Sequence, residues 1–202
     1  MPEFFDVVLT QRAARSFSPD EVDDRTVAKI LTAATHAPTA ENSQCFVFVV
    51  VRDPAIRTAI GGIAARVWEG GARALETDRL SPDLLREVDA GARGGVANAP
   101  VLVVVCGDTR LTFASSVDSS VFPAVQNLLL AAHALGLGST LTTLPVLGGS
   151  ELSELLGLPA EVRPVAVVPL GHLVKPLGPP RRLPLSEKAH LDRYGVPFTA
   201  PA

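Results

Sequence analysis

Three stretches of the sequence carry side chains that could bind a charged, flat ligand. Arg12 and Arg15 stand three residues apart, where two guanidinium groups could face one anion. The alternative is that both are solvated surface arginines, and the spacing alone leaves the two interpretations open. The other stretches are residues 38–44, rich in hydrogen-bonding side chains, and the hydroxyl-rich residues 139–144.

The two polar stretches could line a binding site. Residues 38–44 lead into an apolar strand at residues 46–51, and small-molecule sites are often built where a loop meets a buried strand. A plain polar connector is the competing interpretation. Residues 139–144 are predicted to be extended, so their backbone groups and threonine hydroxyls could line a flat ligand. Together these side chains suit a cofactor that brings its own reactivity.

Other chemistries lack their side chains. The four histidines show no paired spacing with one another or with cysteine, which disfavours a zinc or iron site. No G-x-S-x-G occurs, and neither Cys45 nor Cys106 has a neighbouring histidine or basic residue to activate it. The glycines of residues 91–95 precede a strand instead of following one, so they do not form a dinucleotide fingerprint. We therefore expect neither a catalytic protein nucleophile nor a metal ligand.

A central helix is predicted to position these segments. Residues 121–137 are apolar on nearly every side of a helical wheel, so this helix should be surrounded by protein. The run is shorter than the ~20 residues that a bilayer span needs. Ser119 or Ser120 is expected to cap its start, with Pro123 in the first turn.

The remaining elements frame that helix. Residues 69–98 lose periodicity and are rich in glycine and charge, with one short helical piece at residues 82–88, so they are expected to form an irregular, mobile insertion or lid. The proline-rich residues 175–202 are expected to form an extended tail across the domain or a partner subunit. No repeat or boundary is visible, so residues 1–202 are predicted to form a single domain. Further helices are predicted over residues 4–17, 20–36, 53–68 and 150–156, and strands over residues 46–51, 101–106 and 162–170.

Composition narrows the function classes. Of 202 residues, 47% are hydrophobic and 19% charged, which is enough for a large core. The formal net charge of −3 gives no basic surface for nucleic acid. The amino terminus carries acids where a secretory signal would be basic, and both cysteines lie beside apolar runs, as buried thiols would. We expect a cytoplasmic protein without membrane or nucleic-acid partners.

Four blocks of the sequence, in this order, resemble the FMN-dependent nitroreductase superfamily. They are RAARSF from Arg12, APTAENSQ from Ala37, QNLLLAAHALGLGS from Gln126, and VPLGH followed by PPRRLPL near the carboxyl terminus. The resemblance implies an α+β fold, with a mixed sheet flanked by helices and a long buried central helix. It also implies a domain-swapped homodimer with two FMN sites at the subunit interface.

The resemblance also implies roles for residues. Three arginines would surround the FMN phosphate, with Arg182 coming from its own or the other subunit. The loop of residues 38–44 would contact the ribityl chain and the ring edge, and residues 142–144 would lie along the isoalloxazine, where a backbone N–H could face N5. Gln126 and Asn127 would fix the central helix by hydrogen bonds. The implied cofactor-binding residues are Arg12, Ala13, Arg15, Pro38, Thr39, Ala40, Asn42, Gln44, Thr142, Thr143, Leu144 and Arg182.

The sequence departs from the family pattern at several positions. Gln11 stands where many members have arginine, Ala13 where serine is common, and Pro180 where some members have lysine near the phosphate. These changes predict weaker phosphate binding than is usual. The region before Pro100 is short and irregular compared with the long helical lids of other members, so the substrate is not inherited with the fold.

Three functional hypotheses follow. The first is an FMN oxidoreductase working by ping-pong transfer from NADH or NADPH to a nitroaromatic or quinone, with no protein acid or base required. The second is a flavin oxidase or dehydrogenase of a biosynthetic substrate, such as a cyclic dipeptide or azoline, with oxygen as acceptor. The third is a non-enzymatic protein that binds or sequesters flavin, favoured if residues 69–98 or the tail fill the space above the ring.

Overall fold

The computed structural model of the chain describes residues 2–198 and shows helices packed on both faces of a four-stranded sheet. The expected α+β architecture is confirmed. The helices are α1 (Phe4–Thr10), α2 (Asp24–Thr35), α3 (Pro54–Val67), α4 (Arg73–Thr77), α5 (Pro82–Ala90), α6 (Val96–Asn98), α7 (Val117–Ala134) and α8 (Glu151–Leu155). The strands are β1 (Phe46–Val51), β2 (Val101–Asp108), β3 (Gly138–Ser139) and β4 (Val162–Gly171).

The sheet has the order β1-β2-β4-β3, and each neighbouring pair of these strands is antiparallel. The prediction of a mixed sheet is therefore wrong for the strands proper. The parallel pairing is reduced to a single bridge between Ala13 and Ser139, because residues 11–17 run along the sheet edge without forming a strand.

The central strand β2 divides the interior into two cores. All eight of its residues are buried, as its uninterrupted apolar sequence predicts for a strand covered on both faces. Val101, Val103 and Val105 face the core formed with α2 and α7. Leu102 and Val104 face the core formed with α3 and α8.

The central helix α7 is buried along one face and open along the other. Leu128 is completely buried, whereas Phe122 is 38% exposed and Gln126 is exposed. All-round burial, which the sequence predicts, is thus not reached by one chain. Asn127 Nδ2 donates to the Ala33 carbonyl at 3.2 Å, so its structural role is confirmed. Gln126 makes no such bond among the described residues, and that part of the prediction is wrong within one chain.

The start of α7 also differs from the prediction. The helix begins two residues before Ser119, so Pro123 lies inside it, where a missing N–H removes one helical hydrogen bond. Neither Ser119 nor Ser120 caps the helix. The Ser120 hydroxyl instead accepts the backbone N–H of Ala40 at 3.0 Å, which ties the loop of residues 38–44 to this end of α7.

Other helix boundaries moved for local reasons. The helix α1 ends at Thr10 rather than continuing to Phe17, because the chain turns to the sheet edge, where the Ala14 N–H donates to the Ser139 carbonyl at 2.9 Å. The helix α2 begins at Asp24 because the preceding residue, Asp23, is its cap and accepts the Thr26 N–H at 2.9 Å. The predicted cap of α3 is confirmed, since Asp53 accepts from the N–H groups of Ala55 and Ile56.

The short helix predicted at residues 82–88 is confirmed as α5, whereas the rest of residues 69–98 is more helical than predicted. Two π-helical turns, Trp68–Ala72 and Gly91–Gly95, flank α4 and α5. Their glycines interrupt the periodicity, and Gly71 adopts a positive φ of 146° that favours glycine. Asp89 joins the two ends of the segment, accepting from Trp68 Nε1 at 2.8 Å and from Arg73 Nε at 2.9 Å.

The tail lacks regular structure over most of its described length. After Gly171 the described chain contains one short 3₁₀ turn, Leu185–Glu187, and most side chains from Lys175 onward are exposed. The predicted tail therefore reaches residue 198 as an open segment, while residues 199–202 lie outside the described part. Among residues 2–198, no helix is long and apolar enough to cross a bilayer.

Candidate functional site

An open cavity of about 360 Å³ lies between the sheet edge and the helical segment of residues 68–96. Its floor includes Thr142, Thr143 and Leu144. Arg15 and Phe17 lie at its side. The segment above supplies a mostly apolar roof, from Trp68, Leu80, Leu84 and Val88. The cavity thus offers an apolar slot with hydroxyls along one wall and a cation at one side.

The floor is held in place by strand β4. The Thr142 N–H donates to the Val167 carbonyl and the Val167 N–H donates to the Thr142 carbonyl, both at 2.9 Å. The Leu144 N–H donates to the Thr142 hydroxyl at 3.2 Å. Residues 140–143 therefore run extended beside a buried strand, as predicted, and a turn begins at Leu144. The pairing of the Thr142 backbone with β4 fixes the position of this segment.

A second hollow of about 240 Å³ shares Arg15 with the cavity. It is lined by Ala13, Arg15, Glu87 and Lys175, among others, so it holds two cations and one carboxylate. Arg12 approaches the same carboxylate: its Nη2 lies 3.8 Å from Glu87 Oε2, and Arg15 Nη1 lies 3.7 Å from that oxygen. The two arginines are therefore partly buried and share one acidic side chain, and their role at an anion stays a prediction.

Arg15 is the more enclosed of the two arginines, with 26% of its side chain exposed against 32% for Arg12. Burial lowers the pKa of Arg15, Glu87 opposes that shift, and the nearby Arg12 adds to it. Two like charges in partial burial favour an anion between them. The residues present thus fit a phosphorylated, flat cofactor: a cationic hollow for the phosphate and an adjoining apolar slot for the ring.

Two glycines let the chain close on Arg15. A Cβ on Gly91 would lie 2.8 Å from Arg15 Cδ, and a Cβ on Gly95 would lie 2.4 Å from the Arg15 carbonyl oxygen. No side chain fits at either position without displacing the arginine. The glycine-rich stretch that fails as a dinucleotide fingerprint therefore has a packing role, namely holding Arg15 in place.

Within one chain, some of the predicted cofactor-binding residues lie around the cavity and the hollow, and others lie elsewhere. We call the residues around the cavity and the hollow the near half: Arg12, Ala13, Arg15, Thr142, Thr143 and Leu144. We call the predicted loop residues the remote half: Pro38, Thr39, Ala40, Asn42 and Gln44. Among the described residues, none of the remote half lines either space.

The two halves lie at opposite ends of α7. The remote half is attached to Ser120 near the amino-terminal end of that helix. The near half adjoins its carboxyl-terminal end, where β3 follows and where the Thr10 hydroxyl lies 2.8 Å from the His133 ring. An 18-residue helix spans roughly 27 Å, so one chain holds the halves far apart.

The loop of the remote half has a strained, defined shape. Glu41, Asn42 and Gln44 have φ angles of 55°, 55° and 50°, in the left-handed region that non-glycine residues seldom adopt. The Gln44 N–H donates to the Thr39 hydroxyl at 3.0 Å, which closes the loop on itself. Such a loop is more than a flexible connector, although its residues line neither the cavity nor the hollow.

Arg182 does not join the other two arginines in one chain. The tail reaches the near half four residues earlier, where Arg12 Nη1 donates to the Gly178 carbonyl at 3.3 Å. The exposed guanidinium of Arg182 donates instead to the carbonyl of Arg181 at 2.9 Å. Its place at the phosphate stays a prediction.

Sequence reasoning missed several residues of the site. Leu80, Leu84 and Val88 recur every four residues, a helical spacing that could have shown an apolar face above the site. Glu87 and Lys175 carried no signal, because a lone charge on an amphipathic helix or a tail resembles any surface residue.

Burial raises the pKa of Cys106 to about 12, so this thiol is inert at neutral pH.

Known proteins share this sequence and fold. A protein of Archaeoglobus fulgidus, named as a candidate NADH dehydrogenase/NAD(P)H nitroreductase, is 31% identical over 188 residues, covering 85% of this chain and 86% of its own. A Rhodospirillum rubrum 5,6-dimethylbenzimidazole synthase is 34% identical over 173 residues, covering 80% and 77%. The crystal structure of a candidate nitroreductase from Desulfovibrio desulfuricans in complex with FMN superposes with a TM-score of 0.73 at 25% identity, covering 96% of this chain and 99% of that one.

One family model matches a stretch of the chain that contains both the near half and the remote half. The nitroreductase family model matches residues 8–172, which include both halves but end before Lys175 and Arg182. The fold expected from the four sequence blocks is confirmed by this match and by the superposed structure. The chain, with its paired arginines beside an extended threonine segment, belongs to the nitroreductase family.

Proposed function

We propose that this chain binds FMN and is an oxidoreductase that takes hydride from NADH or NADPH and reduces a small organic acceptor, a nitroaromatic or a quinone. One observation carries the proposal: Arg15 belongs both to the cationic hollow and to the apolar cavity floored by Thr142, Thr143 and Leu144. A phosphate and a flat ring joined by a short chain need those two environments side by side. The FMN named in the Desulfovibrio desulfuricans structure supports the same cofactor here.

The chain's own residues would bind and orient the cofactor. Arg12, Arg15 and Lys175 supply charge-assisted hydrogen bonds to a phosphate. Thr143, which follows the β4-paired Thr142, would supply its hydroxyl and backbone N–H to the ring edge, and the apolar roof would exclude water from the ring face. When bound, FMN supplies hydride acceptance and donation at N5. The nicotinamide loses one hydride, and a quinone acceptor gains that hydride and one proton from water.

We propose that two copies of the chain complete each site as a homodimer. The remote half lies too far from the near half to reach it within one chain, whereas an antiparallel pair of α7 helices would bring them together. Apolar surface is available for this contact: Phe4, Phe5 and Leu9 on α1 are 65%, 72% and 66% exposed, beside the open face of α7. Exchange of the open tails between the copies would make the dimer domain-swapped.

We further propose that residues 69–98 act as a lid over the cavity. The chain would form a single domain, and the protein would work in the cytoplasm. The lid covers the cavity without filling it, since about 360 Å³ remains. The name of the Rhodospirillum rubrum relative, a synthase, supports a second candidate, a flavin enzyme acting on a biosynthetic substrate with oxygen as acceptor.

A single preparation separates these functions. The purified protein is expected to carry bound FMN, visible as yellow colour, and NADH or NADPH added without oxygen should bleach it rapidly. Bleaching by an organic substrate but by neither nicotinamide would support the second candidate. A yellow protein that nothing reduces would favour storage, and a protein that stays colourless after incubation with excess FMN would contradict the proposal.

A further inference from the structure

We propose that Glu87 is a built-in counter-ion that occupies the phosphate-binding arginines before the cofactor arrives, so that FMN must displace a carboxylate of the lid in order to bind. This inference rests on the proposed function for the identity of the ligand. The position of Glu87 rests on the structure alone.

The geometry is that of one carboxylate shared between two cations. Glu87 Oε2 lies 3.7 Å from Arg15 Nη1 and 3.8 Å from Arg12 Nη2. Glu87 is the only acidic residue among the described residues that line the 240 Å³ hollow, which also includes Lys175. A phosphate entering this hollow would meet the same guanidinium groups. The phosphate and Glu87 would compete for these guanidinium groups, since their negative charges repel.

The carboxylate belongs to the lid rather than to the sheet. Glu87 is in the last turn of α5, whose neighbouring residue Asp89 binds Trp68 and Arg73 and so joins the ends of the segment. Directly after α5, Gly91 and Gly95 pack against Arg15. The pairing of Glu87 with Arg12 and Arg15 therefore also fastens the lid to the amino-terminal segment.

Binding and lid release are linked as a consequence. If FMN binds only when Glu87 has left the two arginines, its apparent affinity is the intrinsic affinity multiplied by the fraction of molecules in that state. Removing the carboxylate should raise the affinity for FMN and loosen the lid of the cofactor-free protein. Exposed ion pairs are individually weak, so we expect about three- to tenfold tighter binding for two pairs removed together.

The test compares Glu87→Gln with Asp83→Asn, which removes the same charge one turn earlier on α5. Asp83 pairs with Arg86 and contacts neither Arg12 nor Arg15, so it controls for net charge and for a change in the same helix. Quenching of flavin fluorescence in a titration of the cofactor-free protein gives the Kd for FMN. We expect E87Q to bind about three- to tenfold tighter than wild type and D83N to stay within about twofold of it.

A second measurement reads the lid without any flavin. Trypsin cleavage after Arg79, whose side chain is 73% exposed between α4 and α5, should be faster in cofactor-free E87Q than in D83N. D83N is a stringent control, because an acid in the first turn stabilises α5. Equal Kd values for the two variants, or equal cleavage rates, would overturn the inference.

Failure of the proposed function would look different. If no variant binds FMN, the cofactor assignment is wrong. The cleavage rates alone then test whether Glu87 fastens the lid to the amino-terminal segment. Faster cleavage of E87Q would then still support Glu87 as the residue that fastens the lid, and cleavage at the D83N rate would overturn it.

Discussion

Within one chain, the near half of the predicted cofactor site comes together around a cavity, whereas the remote half lies apart from it. The near half is assembled: Arg12 and Arg15 meet at Glu87, and Thr142 to Leu144 line the cavity that Arg15 enters. The remote half is well shaped but lines neither the cavity nor the hollow, because Ala40 is bonded to Ser120 at the other end of α7. The left-handed backbone at Glu41, Asn42 and Gln44 gives that loop a defined shape.

In the proposed dimer, one binding site would be built from two pieces that a single chain leaves unconnected. Each piece is attached to one end of the same helix, so the geometry of α7 fixes the distance between them. Two copies in antiparallel order would superpose the near half of one with the remote half of the other. The following predictions test that arrangement, from the largest expected effect to the smallest.

The substitution Leu128→Asp should remove the helix that carries both halves. Leu128 is fully buried between the sheet and α2, and an unpaired charge there costs several kcal/mol, on the order of the whole stability of a domain. We expect no soluble folded protein, as judged by expression and circular dichroism. Leu128→Met, which conserves volume, is the matched control and should fold. A folded L128D protein with an unchanged melting temperature would show that α7 is not central.

Arg15→Ala should damage the near half alone. A hydrogen bond to a charged group contributes about 1.5–3 kcal/mol, so FMN binding is expected to weaken by roughly 10- to 100-fold. The titration of flavin fluorescence measures it. Arg86→Ala, which removes an exposed guanidinium of the lid paired only with Asp83, should leave the affinity unchanged. Equal affinities in the two variants would remove Arg15 from the site.

Phe122→Asp should separate the halves by separating the subunits. Phe122 is on the open face of α7, and charged substitution of an interface aromatic should weaken the dimer by about 30-fold or more. Sedimentation equilibrium measures the change, and FMN content should fall with it. Leu75→Asp, at a residue 75% exposed on the lid, is the control and should leave the mass unchanged. A wild-type protein that is already monomeric while holding FMN would contradict the arrangement.

Arg182→Ala should have the smallest effect. Its guanidinium is exposed and reaches only the neighbouring carbonyl within one chain, so an added contact to the phosphate is worth about a two- to fivefold change in Kd. Arg181→Ala, at the adjacent exposed position, should change nothing. If both variants behave alike, Arg182 makes no specific contact.

The sequence predicted those parts of the fold that depend on local rules. Strand β2 was predictable because an uninterrupted apolar run must be buried on both faces. The cap of α3 was predictable because Asp53 and Pro54 satisfy and restrict its first turn. Pro123 was misplaced, because a proline permitted in a first turn also occurs within a helix when other contacts outweigh the lost bond.

The site was predictable where the residues themselves carry the chemistry. Arg12 and Arg15 stood out because paired guanidinium groups suit an anion, and the structure brings them to one carboxylate. The contact of Glu87 with the two arginines could not be predicted, because it depends on how a helical segment interrupted by glycines folds back over the sheet edge. The distance between the remote half and the near half could not be found from the residues either, because it depends on which end of α7 each segment joins in the folded chain.

The central claim, that each site is built from two chains, is tested most directly by subunit complementation. Arg15→Ala and a loop variant, Asn42→Gly with Gln44→Gly, would be co-expressed with different tags; glycine keeps the left-handed backbone while removing the side chains. Each homodimer should be nearly free of FMN, whereas the purified heterodimer should hold about one FMN per dimer, since the arrangement restores one intact site out of two. A heterodimer as empty as its parents, or a loop-variant homodimer that keeps its full complement of FMN, would contradict the account.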